Sequence, residues 1–241
     1  MKKVFLILII PYLLSAQYKA QISKIPKKIA RQMIDKGSWR NGCPVEMYDL
    51  RYLKINYLDF NYKKKTGEMI VHKSVAYDVV EIFRELYNSN YPIKQMKIIS
   101  HYNANDFASI EADNTSAFNC RKVTSGKKWS NHSYGKAIDI NPIENPYISK
   151  SGYISHPKSF PFRKRVHKHN TSKDKAMIIK NDYIIQLFKE RGWKWGGNWR
   201  TIKDYQHFEK SVKNRALAKP REKYIPVRYK GIEESDVSNL Y

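Results

Sequence analysis

The sequence predicts an α+β fold, a single domain in which a small antiparallel sheet is flanked by helices, and three observations carry that expectation. Several short runs alternate apolar and polar residues at the period of a strand. Two longer stretches repeat apolar residues at the period of a helix. No internal repeat is visible, and 241 residues are enough for one well-buried core.

Met1, Lys2 and Lys3 lead into an almost unbroken apolar run from Val4 to Leu14, followed by Ser15 and Ala16, which is the layout of a secretory signal. Residues 1–16 are therefore read as a signal peptide and the protein as exported, to the periplasm, the cell envelope or the outside. The run is shorter than the ~20 residues of a membrane span, so no stable span is expected once it is removed; an uncleaved anchor is the alternative. The formal charge is +23, and losing Lys2 and Lys3 leaves 23 − 2 = +21. Such a charge seeks anionic surfaces, and an exported chain meets anionic envelope polymers before it meets nucleic acid, so no nucleic-acid partner is expected. Two cysteines, Cys43 and Cys120, can form a disulfide in an exported chain or remain two buried thiols, and spacing alone does not decide between them.

Residues 17–40 form a basic lead-in, helical or loose, that docks onto a domain of residues 41–212. Leu53, Ile55 and Tyr57 alternate with polar neighbours, a turn follows at Lys63 to Gly67, and Met69 to His72 returns, which predicts a hairpin. Val75, Val79, Phe83 and Leu86 are spaced for a helix that ends at Asn88 to Asn90. Met96, Ile98 and Ser100 alternate as a strand, and a polar loop from Asn103 to Ser116 leads to an ordered Phe118 to Arg121. Lys136 to Asn141 is a short strand with Ala137, Asp139 and Asn141 on one face. Residues 142–170, rich in Pro, Ser and Lys, read as an insertion over the surface. Ser172 opens one helix carrying Met177, Ile184 and Phe188 and ending at Gly192. Trp193, Trp195 and Trp199 around Gly196 and Gly197 predict a tight turn between strands, and His207 to Glu209 is the last strand before a peripheral basic tail at 213–241.

Two strings carry chemistry: Ser130 to Asp139, and Asp204 to Glu209. A catalytic zinc takes three His and carboxylate ligands and keeps one position open, and His132, Asp139 and His207 supply such a set. Gly135 lets the chain turn back so that His132 and Asp139 can face one point. A carboxylate three residues before a ligand can serve as general base, which makes Asp204 the candidate and Glu209 the weaker one. Glu209 lies one strand repeat from His207 and can orient its imidazole instead. Arg121 is a candidate for stabilising the oxyanion of amide hydrolysis, or it pairs with an acid and ties down its loop. His156, His167 and His169 sit among cations and read as a solvated loop, and the tryptophans read as packing.

The strings resemble those of the zinc D-alanyl-D-alanine carboxypeptidase family, with its related L-alanyl-D-glutamate endopeptidases, over roughly residues 40–210. Ser-x-His-x-x-Gly-x-Ala-x-Asp is met by Ser130, His132, Gly135, Ala137 and Asp139, and acid-x-x-His by Asp204 and His207. Phe118 to Arg121 and the Gly192 to Gly197 segment are similar to a branch of the family. The resemblance implies hydrolysis of an amide in peptidoglycan stem peptides, zinc on His132, Asp139 and His207, Asp204 as the acid-base group, Arg121 near the scissile carbonyl, and Ser130 in contact with substrate. Many carboxypeptidases of the family have Glu-x-Trp-His at the second string, whereas this chain has Asp-x-Gln-His, closer to the endopeptidase form. The rival reading is a non-catalytic basic envelope protein that binds anionic cell-wall polymer or nucleic acid.

Overall fold

Tyr18, Ala20 and Ile22 alternate into the core and so begin the chain's first strand, β1 (Ala20–Ser23), within the segment expected only to be helical or loose. The computed structural model describes residues 17–123 and 126–211; the expected signal segment 1–16 and tail 213–241 lie outside the described residues. Helix α1 (Lys27–Asp35) follows and buries Met33. The predicted hairpin is present as β2 (Leu50–Leu58) and β3 (Lys64–His72), paired antiparallel with Leu53 opposite Met69, and β1 joins its free edge to give the order β1-β2-β3.

The alternation read in β2 is that of a half-buried strand, yet every residue of β2 except Lys54 is buried. Both faces are covered. Leu53 and Ile55 pack with helix α2 (Ala76–Asn88) through Val79, Val80 and Phe83, while Leu50 and Tyr52 join Met33, Ile98, Phe118 and Cys120 in a second cluster on the opposite side. Each fully buried aliphatic or aromatic side chain contributes on the order of 2 kcal/mol by leaving water. A disulfide joins Cys43 to Cys120, 77 residues apart with Cα atoms 5.9 Å apart, and so ties the stretch after α1 to the loop before the first chemical string.

Past α2 the strand expected at Met96 to Ser100 shrinks to β4 (Gln95–Met96), because Ile99 to Tyr102 coil into a 3-10 turn. The polar loop from Asn103 to Ser116 is instead α3 (Asp106–Glu111), begun by Asn105 accepting from the Ala108 N–H, and β5 (Asn114–Thr115), which pairs parallel with β4. Asn105 is a helix N-cap that a count of polar residues does not distinguish from loop. After β6 (Ala137–Asp139), residues 142–170 are not wholly superficial: Glu144, Asn145, Ile154, His156 and Ser159 are buried, and β7 (Tyr147–Ile148) pairs with another strand. The single helix expected from Ser172 is two, α4 (Ser172–Ala176) and α5 (Tyr183–Glu190). Asn145 Oδ1 takes the Ile178 N–H, Asp182 Oδ2 takes the Ile179 N–H, and Asn181 adopts φ 75°, so side chains and a left-handed residue replace the helical ladder between them.

The turn of tryptophans lies between β8 (Trp193–Trp195) and β9 (Lys203–Asp204), as the sequence predicts, and β10 (His207–Lys210) closes the described chain. Strand β10 is the centre of a three-stranded antiparallel sheet, β6-β10-β8, and β9 pairs with β7. Phe208 faces the core and stacks on Phe188 at 3.9 Å between ring centroids, so its neighbours His207 and Glu209 point to the other face. A slip of one residue would reverse that arrangement, and burial of Phe208 opposes it. Among the described residues no helix is long and apolar enough to cross a membrane.

Candidate metal centre

The register of β10 on β6 sets His207 directly opposite Asp139 and Phe208 opposite Ile138. His132 arrives from the other direction, on a 3-10 turn (Asn131–Tyr134) that Ser130 caps by accepting the His132 N–H at 3.3 Å. The turn ends at Gly135, φ 63°, whose carbonyl accepts the His72 N–H at 2.9 Å. A Cβ there would stand 2.5 Å from that same nitrogen, so a glycine is needed both for the backbone angle and for the close approach. His132, Asp139 and His207 thereby offer ligand atoms that all lie within 4.8 Å of one another.

Partners on the far side of each ring decide which nitrogens face inward. His132 Nδ1 donates to the Ala117 carbonyl at 2.5 Å, leaving Nε2 without a proton in the neutral ring. His207 Nε2 lies 3.3 Å from Glu209 Oε2, and Glu209 is itself held by the Asn131 amide. His207 Nδ1 is then turned to Asp139 Oδ1 at 2.9 Å and to His132 Nε2 at 3.2 Å, while Asp139 Oδ2 lies 3.2 Å from His132 Nε2. Two imidazole lone pairs and a carboxylate thus converge on one point, an arrangement that calls for a positive charge there.

The electrostatics agree. Burial works against a charged His207, but its hydrogen bonds to Asp139 and Glu209 and the charges of Asp139 and Asp204 outweigh it and hold its pKa up to about 10. Burial likewise works against the Asp139 carboxylate and is outweighed by His132 and His207, which hold it well below the usual carboxylate range. The donor set fits a divalent transition ion: nitrogen and carboxylate oxygen at a site of three protein ligands.

Asp204 stands beside this group on β9, paired opposite Tyr147. Burial and the nearby Asp139 charge push its carboxyl up to about 6 against the opposing pull of His207 and His132, and its Oδ1 is buried with no hydrogen-bond partner among the described residues. Gly196 brings the tryptophan turn onto it: a Cβ at Gly196 would meet the Asp204 carbonyl at 2.6 Å and the His207 Cβ at 3.3 Å. Arg121 is held elsewhere. Its guanidinium pairs with Asp106, which also accepts from Asn119, and its backbone is stitched to the His132 turn through Ser133. Ser130 is buried at 5 % exposure with its hydroxyl on the His132 N–H.

Four participants were not singled out from the sequence for the site. The Ala117 carbonyl and the Asn131 amide orient the two rings from outside, and Trp199 packs its ring 5.4 Å from that of His207. Gln206 is buried between Asp204 and His207, and its backbone carbonyl takes the Ile140 N–H. A backbone carbonyl leaves no signal in a sequence. Asn131, by contrast, adjoins His132 and could have been flagged. The second histidine group stays apart from the site: His167 and His169 are exposed, and His156 is buried but caps the 3-10 turn at Pro157.

Residues 124–210 match the family model described as D-alanyl-D-alanine carboxypeptidase, and the His132, Asp139 and His207 group within that segment is consistent with a metallopeptidase site. The matched segment contains both chemical strings, and the family resemblance read from them is borne out there. The match supports a peptidase related to peptidoglycan. Comparisons with curated proteins and with solved structures return no significant match.

Proposed function

We propose that this chain is a zinc-dependent peptidase that hydrolyses an amide bond in peptidoglycan stem peptides, with His132, Asp139 and His207 as the metal ligands. The observation that carries the reading is the convergence of His132 Nε2, His207 Nδ1 and the Asp139 carboxylate, with the outer ring nitrogens already engaged by Ala117 and Glu209. A zinc ion held there would supply Lewis-acid charge to the scissile carbonyl and acidify a water.

The chain's own groups do the rest. Asp204, with one buried carboxylate oxygen unpartnered, takes the proton of the attacking water and returns it to the leaving amine. The family resemblance gives Arg121 the oxyanion and Ser130 a substrate contact; here Arg121 is paired with Asp106 and the Ser130 hydroxyl with the His132 N–H, so either role requires the side chain to leave that partner. Glu209 keeps His207 in one tautomer and orientation. The apolar run at residues 4–14 and the Cys43–Cys120 disulfide support export to an oxidising envelope, where the basic chain also meets anionic polymer.

The test is metal content and hydrolysis of purified peptidoglycan by the full chain, beside His132→Ala and Asp204→Asn. The expected result is about one zinc per chain with release of stem fragments, loss of metal in His132→Ala, and retained metal without turnover in Asp204→Asn. A folded chain that holds no metal and cuts nothing, yet binds anionic polymer in a salt-dependent way, would overturn the reading in favour of a non-catalytic envelope protein. Mass analysis of products from defined stem peptides then assigns the bond, since a carboxypeptidase alone releases free terminal D-alanine.

A further inference from the structure

We propose that Arg165 is a positioning residue that clamps the basic insertion, residues 142–170, onto the segment bearing Asp204; the proposal rests on the reading of Asp204 as the acid-base group. In the sequence Arg165 belongs to a cationic run with Arg163, Lys164 and Lys168, and those three are exposed. Arg165 is not. Its Nη1 donates to the Glu144 carbonyl at 2.6 Å and the Phe162 carbonyl at 3.0 Å, and its Nη2 donates to Asn145 Oδ1 at 2.6 Å and the Ile178 carbonyl at 2.7 Å. The flat guanidinium lies over the Tyr205 ring, 4.4 Å from its centroid.

These partners lead to both halves of the metal centre. Tyr205 follows Asp204 in the chain; its N–H donates to the Pro146 carbonyl at 3.2 Å and its carbonyl accepts from Trp195 Nε1 at 2.8 Å. Tyr147, two residues past Asn145, pairs opposite Asp204. Asn145 is fully buried, and its amide donates to the carbonyl of Ile140, the residue after Asp139, at 3.1 Å. One cation therefore holds the start of the insertion, its far limb and the bend between the two last helices, and presses their junction on Tyr205. A fork of fixed donors can satisfy four acceptors and stack on a ring at once, whereas a lysine ammonium has neither the reach nor the plane. Misplacing a reacting carboxylate by an ångström is enough to slow the chemistry with little effect on binding.

The experiment uses the full chain and compares Arg165→Met, Arg165→Lys, Tyr205→Ala, the Arg165→Met/Tyr205→Ala double variant and the exposed control Lys164→Met. Two readouts are taken together: hydrogen exchange of the peptide spanning residues 203–206, and kcat and KM on a defined stem peptide with bound metal measured beside them. For Arg165→Met the expected result is faster exchange at 203–206 and a kcat lower by ~10- to 100-fold, with KM within about 2-fold and metal content unchanged. Arg165→Lys falls between, Lys164→Met matches the unaltered chain, and the double variant loses no more than the worse single one. Unchanged exchange or full kcat in Arg165→Met overturns the proposal, and so does a loss of kcat that merely follows a loss of metal. An unaltered chain that hydrolyses nothing sinks the reading of Asp204 instead, and the exchange data, which need no substrate, keep that failure apart from failure of the clamp.

Discussion

His132 Nε2 and His207 Nδ1 face each other at 3.2 Å, brought together from a turn and a strand 75 residues apart, with Asp139 bridging both rings. Two basic nitrogens at that distance require a cation or a shared proton between them.

Metal binding should therefore stabilise the fold. At a free zinc concentration 100 times its dissociation constant the stabilisation is about 2.7 kcal/mol. For a domain of this size that raises Tm by roughly 5–10 °C. Thermal melts of the full chain after chelation and after zinc return should show the shift, and His207→Ala should abolish it. An equal shift in His207→Ala would place the ion elsewhere.

Glu209 touches the outer edge of His207 at 3.3 Å and gives no ligand atom to the group. Glu209→Gln removes the charge that holds the imidazole proton on Nε2, and loss of such an outer partner weakens metal binding by ~10- to 100-fold. Competition with a chelator of known affinity measures this. Affinity unaltered from the parent's would mean that the Glu209 contact does not orient the ring.

Gly135→Ala forces a side chain into a left-handed position and sets its Cβ 2.5 Å from the His72 nitrogen. The backbone angle alone costs about 1–2 kcal/mol, and the contact adds to it. A lower urea midpoint and weakened metal uptake should appear together, because the strained turn carries His132. A variant with the parent's midpoint would show that the turn relaxes freely.

The pH dependence of stability should carry the mark of Glu144, which is 1 % exposed. Burial first, and then the charge of Asp113 and a hydrogen bond to it, push its carboxyl up to about 9, with Lys173 opposing. Asp113 is raised as well, by burial, against Lys94 and Lys173. An unfolded glutamate titrates near ~4.3, so above that pH the unfolded chain gives up a proton the folded chain keeps. This contribution to stability is fully present below the unfolded pKa and is lost as pH rises towards 9. Urea midpoints at pH 5 and pH 8 should fall more steeply for the parent than for Glu144→Gln; matching slopes would refute the assignment.

Where a feature is local, the sequence showed it. The hairpin of β2 and β3, helix α2 and the short strands bearing Asp139 and His207 follow from periodicities within each segment. Strand β1 was hidden because only four residues form it, and its apolar positions acquire meaning from pairing Ile22 with Leu53. The break between α4 and α5 was hidden because the side chain that caps Ile178 belongs to Asn145, 33 residues earlier.

By itself the sequence pointed to His132, Asp139 and His207 as candidate donors, to Asp204 as the candidate acid and to Gly135 as the residue that lets the first string turn, because residue type and the spacing within each string are properties of the chain alone. Tertiary structure decided the pairing of Cys43 with Cys120, the nitrogen each histidine turns inward, and the place of Arg165 against Tyr205. Each of these depends on a backbone carbonyl, a carboxylate or a ring that folding brings from another segment, and such a partner exists only when register and packing have placed it.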